Sequence, residues 1–150
     1  MPKKFILFLV SFVFLFSFKV ANASIIINEV EISPTVERFI ELYNTSSSDV
    51  SLTGWYLQRK TATGTDFGSL VSKTFFEGRT IGANSYFVIS KDSLSLTSFS
   101  LTESNVIQLK NSSQEIVDKV GWGSAESSVG GNPPDGKSIQ KNGAGWIIAS

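Results

Sequence analysis

The sequence predicts an all-β chain folded as an antiparallel β-sandwich behind an N-terminal export leader. Three observations carry this expectation. Beyond residue 23 the apolar residues recur with a period of two rather than 3.6. The runs are short and rich in Ile, Val, Phe, Tyr and Trp, residues that suit a pleated, half-buried surface. Turn-forming residues separate the runs at the spacing of a sandwich or barrel.

Residues 1–23 read as a leader. Lys3 and Lys4 form a positive start, residues 5–18 form an apolar run, and Ala21-Asn22-Ala23 fits the small-x-small rule of a signal peptidase site, so the processed chain begins at Ser24. A membrane-spanning helix needs about 20 apolar residues. The apolar run is interrupted by Ser11 and Ser17 and stops at Lys19, so contact with a membrane is expected only through an uncleaved leader. No cysteine is present to accept a lipid or to form a disulfide. Residues 24–150 must therefore build an ordinary core, and a domain of that size buries roughly two thirds of its unfolded surface. One domain fits.

The elements follow in order. In residues 24–33 strict alternation puts Ile26, Asn28, Val30 and Ile32 on one face and Ile25, Ile27, Glu29 and Glu31 on the other. In 37–44, Arg38, Ile40, Leu42 and Asn44 oppose Phe39, Glu41 and Tyr43. Further strands are expected at 55–60, 74–76, 86–90, 105–110, 114–120, 138–141 and 146–148. Asn111-Ser112-Ser113 lies between two strands that reverse direction, and Asn142-Gly143 is the strongest hairpin signal. Pro134-Asp135-Gly136 is a turn in which Pro sets φ and Gly takes a positive φ. Residues 121–136 form the one long irregular loop, a length that is often functional.

Several of these segments in succession resemble the lamin tail domain family. They are I-I-N-E-V at 26–30, E-R-F-I-E-L-Y-N-T-S-S at 37–47, V-S-L-T-G-W-Y-L at 50–57 and the run at 75–90. V-I-Q-L-K-N at 106–111, I-V-D-K-V-G-W-G at 116–123 and D-G-K-S-I-Q-K at 135–141 complete the series. The resemblance implies an immunoglobulin-like sandwich without the inter-sheet disulfide, with Trp55 and Trp122 as core residues of the Gly-Trp motifs. It also implies adhesion or targeting. Bacterial members accompany secreted nucleases, phosphatases and other hydrolases, and the animal counterpart in lamins contacts chromatin and other proteins. Family members often continue past the closing strand. A free-standing module and a module followed by further chain both remain open here.

The chemistry points the same way. Without His or Cys, Ser–His and Cys–His nucleophile pairs are excluded, as are most zinc sites. No phosphate-loop motif is present. Glu29, Glu31, Glu37 and Glu41 sit on the first two strands and have two readings: structural carboxylates, or calcium ligands together with Asp118 or Asp135. No acid/base pair for glycoside hydrolysis is framed by cleft-forming insertions. Trp55, Phe75, Phe76, Phe87 and Trp122 are expected in the core, while Tyr43, Tyr56 and Trp146 are left undecided between core and surface. An exposed aromatic strip would suit carbohydrate stacking.

Charge bears on partners. The chain has 13 basic and 13 acidic residues; the leader removes Lys3, Lys4 and Lys19, leaving 10 − 13 = −3. Arg59, Lys60, Lys73 and Arg79 form only a scattered cluster, so a nucleic-acid partner is not expected. The expectation is a secreted or cell-surface, non-catalytic interaction or adhesion module with no cofactor, binding a protein or surface partner through loop 121–136 or an exposed sheet edge. The alternative is the targeting domain of a secreted nuclease or phosphatase whose catalytic part is not in this chain. Oligomeric state is left open.

Overall fold

The computed structural model describes residues 24–90 and 99–149. The expected leader and its processing residues Ala21 and Ala23 lie outside the described residues. Ser24 is the first described residue, and its carbonyl accepts from the Thr45 N–H at 2.7 Å. The chain is an immunoglobulin-like antiparallel β-sandwich. Strands β1 (Ile25–Glu31), β2 (Phe39–Asn44), β7 (Tyr86–Ser90), β10 (Ser138–Asn142) and β11 (Gly145–Ala149) form a five-stranded sheet in the order β11-β10-β1-β2-β7. Strands β4 (Tyr56–Thr61), β5 (Gly68–Val71), β8 (Asn105–Lys110) and β9 (Ile116–Gly121) form the second sheet in the order β5-β4-β8-β9. A short ribbon pairs β3 (Val50–Ser51) with β6 (Thr80–Ile81).

The core lies between the two sheets. Ile25, Ile27, Val30, Ile40, Leu42 and Ile89 face it from one side, and Leu57, Ile107, Leu109 and Val120 from the other. Trp122 is fully buried and Trp55 is 8% exposed, so both Gly-Trp motifs place their ring in the core. The Leu52–Trp55 turn is closed by a 2.9 Å bond from the Trp55 N–H to the Leu52 carbonyl. Gly54 occupies φ +84° there, a backbone state that only glycine adopts without cost.

The expected face assignment of the first strand is corrected. Ile25 and Ile27 point inward, but so do Val30 and Ile32, because the register shifts between Ile27 and Glu29. Strict alternation would have sent either the first pair or the second pair to the outside. A β-bulge at Asn28 adds one residue and re-phases the strand. Burying each of these side chains contributes about 1.5–3 kcal/mol, so the bulged frame retains four such contributions instead of two.

Other expectations shift as well. Residues 74–76 are not a strand but belong to a single helical turn, α1 (Lys73–Phe76). Ser72 caps it, its hydroxyl accepting from the Phe75 N–H, and Gly78 at φ +67° follows its end. The turn directs Phe76 into the core with Phe75 packed edge-on at 5.0 Å. A 3-10 turn at Thr35–Glu37 and the short strands β3, β5 and β6 were not expected. In the β10–β11 hairpin Asn142 pairs with Gly145. Gly143 therefore takes the first central position at φ +58°, one place earlier than an Asn-Gly turn centre.

Trp122→Ala and Trp55→Ala should each destabilise the protein by ~3–5 kcal/mol in urea denaturation, the usual cost of emptying a large aromatic site. Ser113→Ala, on an exposed turn, should stay within about 0.5 kcal/mol.

Candidate functional site

The polar residues of the motifs have definite destinations. Asp118 of the V-D-K-V segment points inward from β9 and accepts the Ile27 N–H at 3.0 Å through Oδ2. Lys141 of β10 closes an ion pair with it at 3.1 Å, and the same ammonium lies 4.4 Å above the Trp146 ring. Asp118 thus ties β9 to β1 and β10 across the layer. Asn44, ending the I-E-L-Y-N run, is fully buried; its Nδ2 donates to the carbonyls of Ser48, Ile81 and Gly82. Its Oδ1 accepts from the Ser46 N–H and hydroxyl. Asn105 is buried likewise, with its Oδ1 accepting from the Thr102 N–H and from Arg59 Nη1.

The G-W-G step shapes loop 121–136. Gly121 faces outward, and a Cβ there would lie 2.1 Å from the Glu126 carbonyl oxygen. The loop folds back on this bare position: the Gly121 N–H donates to Ser127 and its carbonyl accepts from Val129. Trp122 points inward, its Nε1–H donating to the Thr102 carbonyl at 2.7 Å. Gly123 then turns at φ +62° against Ser104 and Asn132. The first part of the loop is a hydrogen-bonded fold of its own.

Its far end lines a polar cleft of about 320 Å³ with Ser33, Arg38, Glu103 and Pro133. The Ser33–Pro34 peptide here is cis. The Ser33 hydroxyl bonds the Asp135 carboxylate, and Arg38 Nε donates to the Ile32 carbonyl at 2.7 Å. One guanidinium and two carboxylates mix in this cleft, so it has no single charge character.

The outer face of the five-stranded sheet gathers the glutamates. Glu29 and Glu41 are direct cross-strand partners. Glu29 accepts from the Ser138 hydroxyl and from Gln140, and Glu41 accepts from the Asn28 amide at 2.7 Å. Burial, then the charges of Glu37 and Glu29, push the Glu31 carboxyl above the usual range. Of the calcium ligands considered from sequence, Asp118 faces inward on β9 and Asp135 bonds Ser33 at the cleft. Among the described residues, no group of three or more Asp or Glu is placed to hold a metal ion. Beside the glutamates, Tyr43 and Tyr86 stack at 4.6 Å, and Tyr86 and Val88 are 57% and 46% exposed.

The outer face of the four-stranded sheet gathers lysines. Lys73 and Lys110 lie 5.0 and 5.8 Å from the Tyr56 ring. Lys60 and Lys119 both bind Glu126, at 2.7 and 3.2 Å, and their hydrogen bonds hold that carboxyl below its usual range. Lys60 also lies 5.1 Å above the Phe67 ring. The grouping expected from sequence is redrawn. Lys60 and Lys73 share this face, but Arg59 points away to Ser100 and Asn105, and Arg79 lies against Phe75. Lys110 and Lys119 were missed; pairing of β4 with β8 and of β8 with β9 is what brings them in.

Residues 19–124 match a family model described as Lamin Tail Domain. The β10–β11 hairpin lies beyond the matched residues. Among curated proteins no sequence matches this chain.

Asp118→Ala leaves the Ile27 N–H without its acceptor and Lys141 without its partner, and should cost ~2–3 kcal/mol in urea denaturation, typical of lost hydrogen bonds to a charged group. Glu31 gives a pH signature. Its folded pKa is raised, so its contribution to stability is fully present below the ordinary carboxylate value and declines as pH rises through the folded value. Glu31→Gln should therefore raise the urea midpoint at about pH 7 and change it little near pH 4, around the ordinary carboxylate range.

Proposed function

Because the chain belongs to the lamin tail domain family, we propose that it is an exported, non-catalytic interaction module. It holds a protein or cell-surface partner on the outer faces of its sandwich. The observation that carries this reading is the destination of the motif residues. Asp118, Asn44, Asn105 and Trp122 all bind framework atoms within the fold. None of them is directed at an open cleft where a reacting group would sit. The surfaces left for recognition are the two sheet faces, each broad, each of one charge sign along its strands, and each carrying exposed rings or aliphatic side chains. Export follows from the charged start, apolar run and Ala21-Asn22-Ala23 site of the leader.

Two measurements test the proposal. Intact mass of the exported protein should correspond to a chain starting at Ser24; retention of residues 1–23 on membrane-bound protein would support an anchor instead. The same protein should turn over no phosphodiester, phosphomonoester, ester or glycoside, since a sequence without His or Cys offers no Ser–His or Cys–His nucleophile pair. An activity that disappears in Glu29→Gln or Glu41→Gln protein would overturn the non-catalytic reading.

A further inference from the structure

The strands of the two outer faces carry opposite charge without mixing. On the five-stranded sheet the outward side chains of β1 and β2 include Glu29, Glu31 and Glu41, with Glu37 beside them, and the described strands contribute no outward Lys or Arg. On the four-stranded sheet the outward side chains include Lys60, Lys110 and Lys119, with Lys73 over Tyr56, and the described strands contribute no outward carboxylate. Glu126, from the loop, neutralises part of that face.

We propose that two copies of this chain associate head to tail, the glutamate face of one seated on the lysine face of the next. The proposal rests on reading the outer faces as the binding surfaces and names a second copy as a partner they take. Complementary charge is its first support. Among the described residues Glu29 and Glu41 are bonded only by neutral side chains, and Lys73 and Lys110 rest on a neutral ring, so these charges stay available to a partner. The apolar groups are its second support. Tyr86 and Val88 stand exposed beside the glutamates, and Ile116 is 55% exposed beside Lys110, so the contact removes apolar surface as well as pairing charge.

Position sets the form of the assembly. The faces lie on opposite sides of one sandwich, so the contact is heterologous. Each association leaves one free face of each sign at the ends, and copies add in a line rather than closing as a symmetric pair. The attraction is mainly electrostatic between exposed groups, so it weakens as the screening length shortens.

Sedimentation velocity of the exported protein tests this. At about 0.02 M salt the weight-average sedimentation coefficient should rise with protein concentration; at about 0.3 M, where screening acts within roughly 6 Å, it should fall to the monomer value. K73E/K110E and E31K/E37K proteins should each lose about tenfold or more in self-association, on the order of 1.4 kcal/mol. An equimolar mixture of the two should associate, and the fourfold variant, with both faces exchanged, should regain association. Thermal melting followed by circular dichroism checks that every variant folds. A monomer at all concentrations in low salt, or association untouched by both reversals, would overturn the proposal. Binding of phosphatidylglycerol vesicles, lost in K73E/K110E protein and without self-association, would overturn the second-copy assignment while leaving the interaction-module reading in place. Substrate turnover would strike that reading alone.

Discussion

The carboxylate of Asp118 reaches from β9 to the Ile27 N–H of β1 and takes the Lys141 ammonium from β10 at the same time. Much of the molecule follows from that contact. Strand β10 pairs with β1 only over Glu29–Glu31, so the Ile27 N–H lies beyond that ladder and must find another acceptor inside the fold. Asp118 is that acceptor. The carboxylate also accepts the Lys119 N–H at 2.9 Å through Oδ1, so removing it would leave interior donors of two strands and the Lys141 ammonium without their acceptor.

The bulge after Ile27 determines what β1 shows to solvent. Before the bulge the odd-numbered residues Ile25 and Ile27 point inward; after it, Glu29 and Glu31 point outward. Without the bulge, strict alternation of the same residues would put those glutamates on the face of the two isoleucines, in the core. The re-phasing therefore protects the core and creates the acidic face. On the opposite sheet Gly121 has a comparable effect. Its missing Cβ lets the loop lie against β9, and this brings Glu126 within reach of Lys60 and Lys119.

Much of this architecture was legible in the sequence, and the parts that were not have identifiable causes. Period-two patterning located most of the longer strands, and the two Gly-Trp steps located core rings. The bulge escaped because the residues on either side of Asn28 each alternate perfectly in their own frame. Thr74-Phe75-Phe76 looks like a strand by composition, and the cap at Ser72 with Gly78 behind it overrides that propensity. Strands β3 and β6 have two residues each, too few to show a period. The lysine face depends on which strands pair: Lys60 and Lys110 are 50 positions apart in sequence and share a face only when β4 lies beside β8. Nearness in sequence groups Lys60 with Arg59 instead, although neighbours on a strand face opposite ways.

The glutamate face remains to be explained by something other than folding. Glu29 and Glu41 stand directly opposite each other on paired strands, an arrangement of like charges that destabilises a sheet. Glu31 is held above the usual carboxylate range by burial and by its acidic neighbours, which means that its ionised form works against the fold at neutral pH. Neutral side chains at these outward positions would leave every core contact in place. Departures from local optimality of this kind are where function is found. The lysine face offers the counterpart, and the two are separated by the full thickness of the sandwich, so they cannot relieve one another within a single molecule. A net charge of −3 for residues 24–150, counted as 10 − 13, describes neither surface. A cationic surface outside the molecule would relieve the crowded glutamates, and under the proposed head-to-tail contact a second copy supplies one on its opposite face.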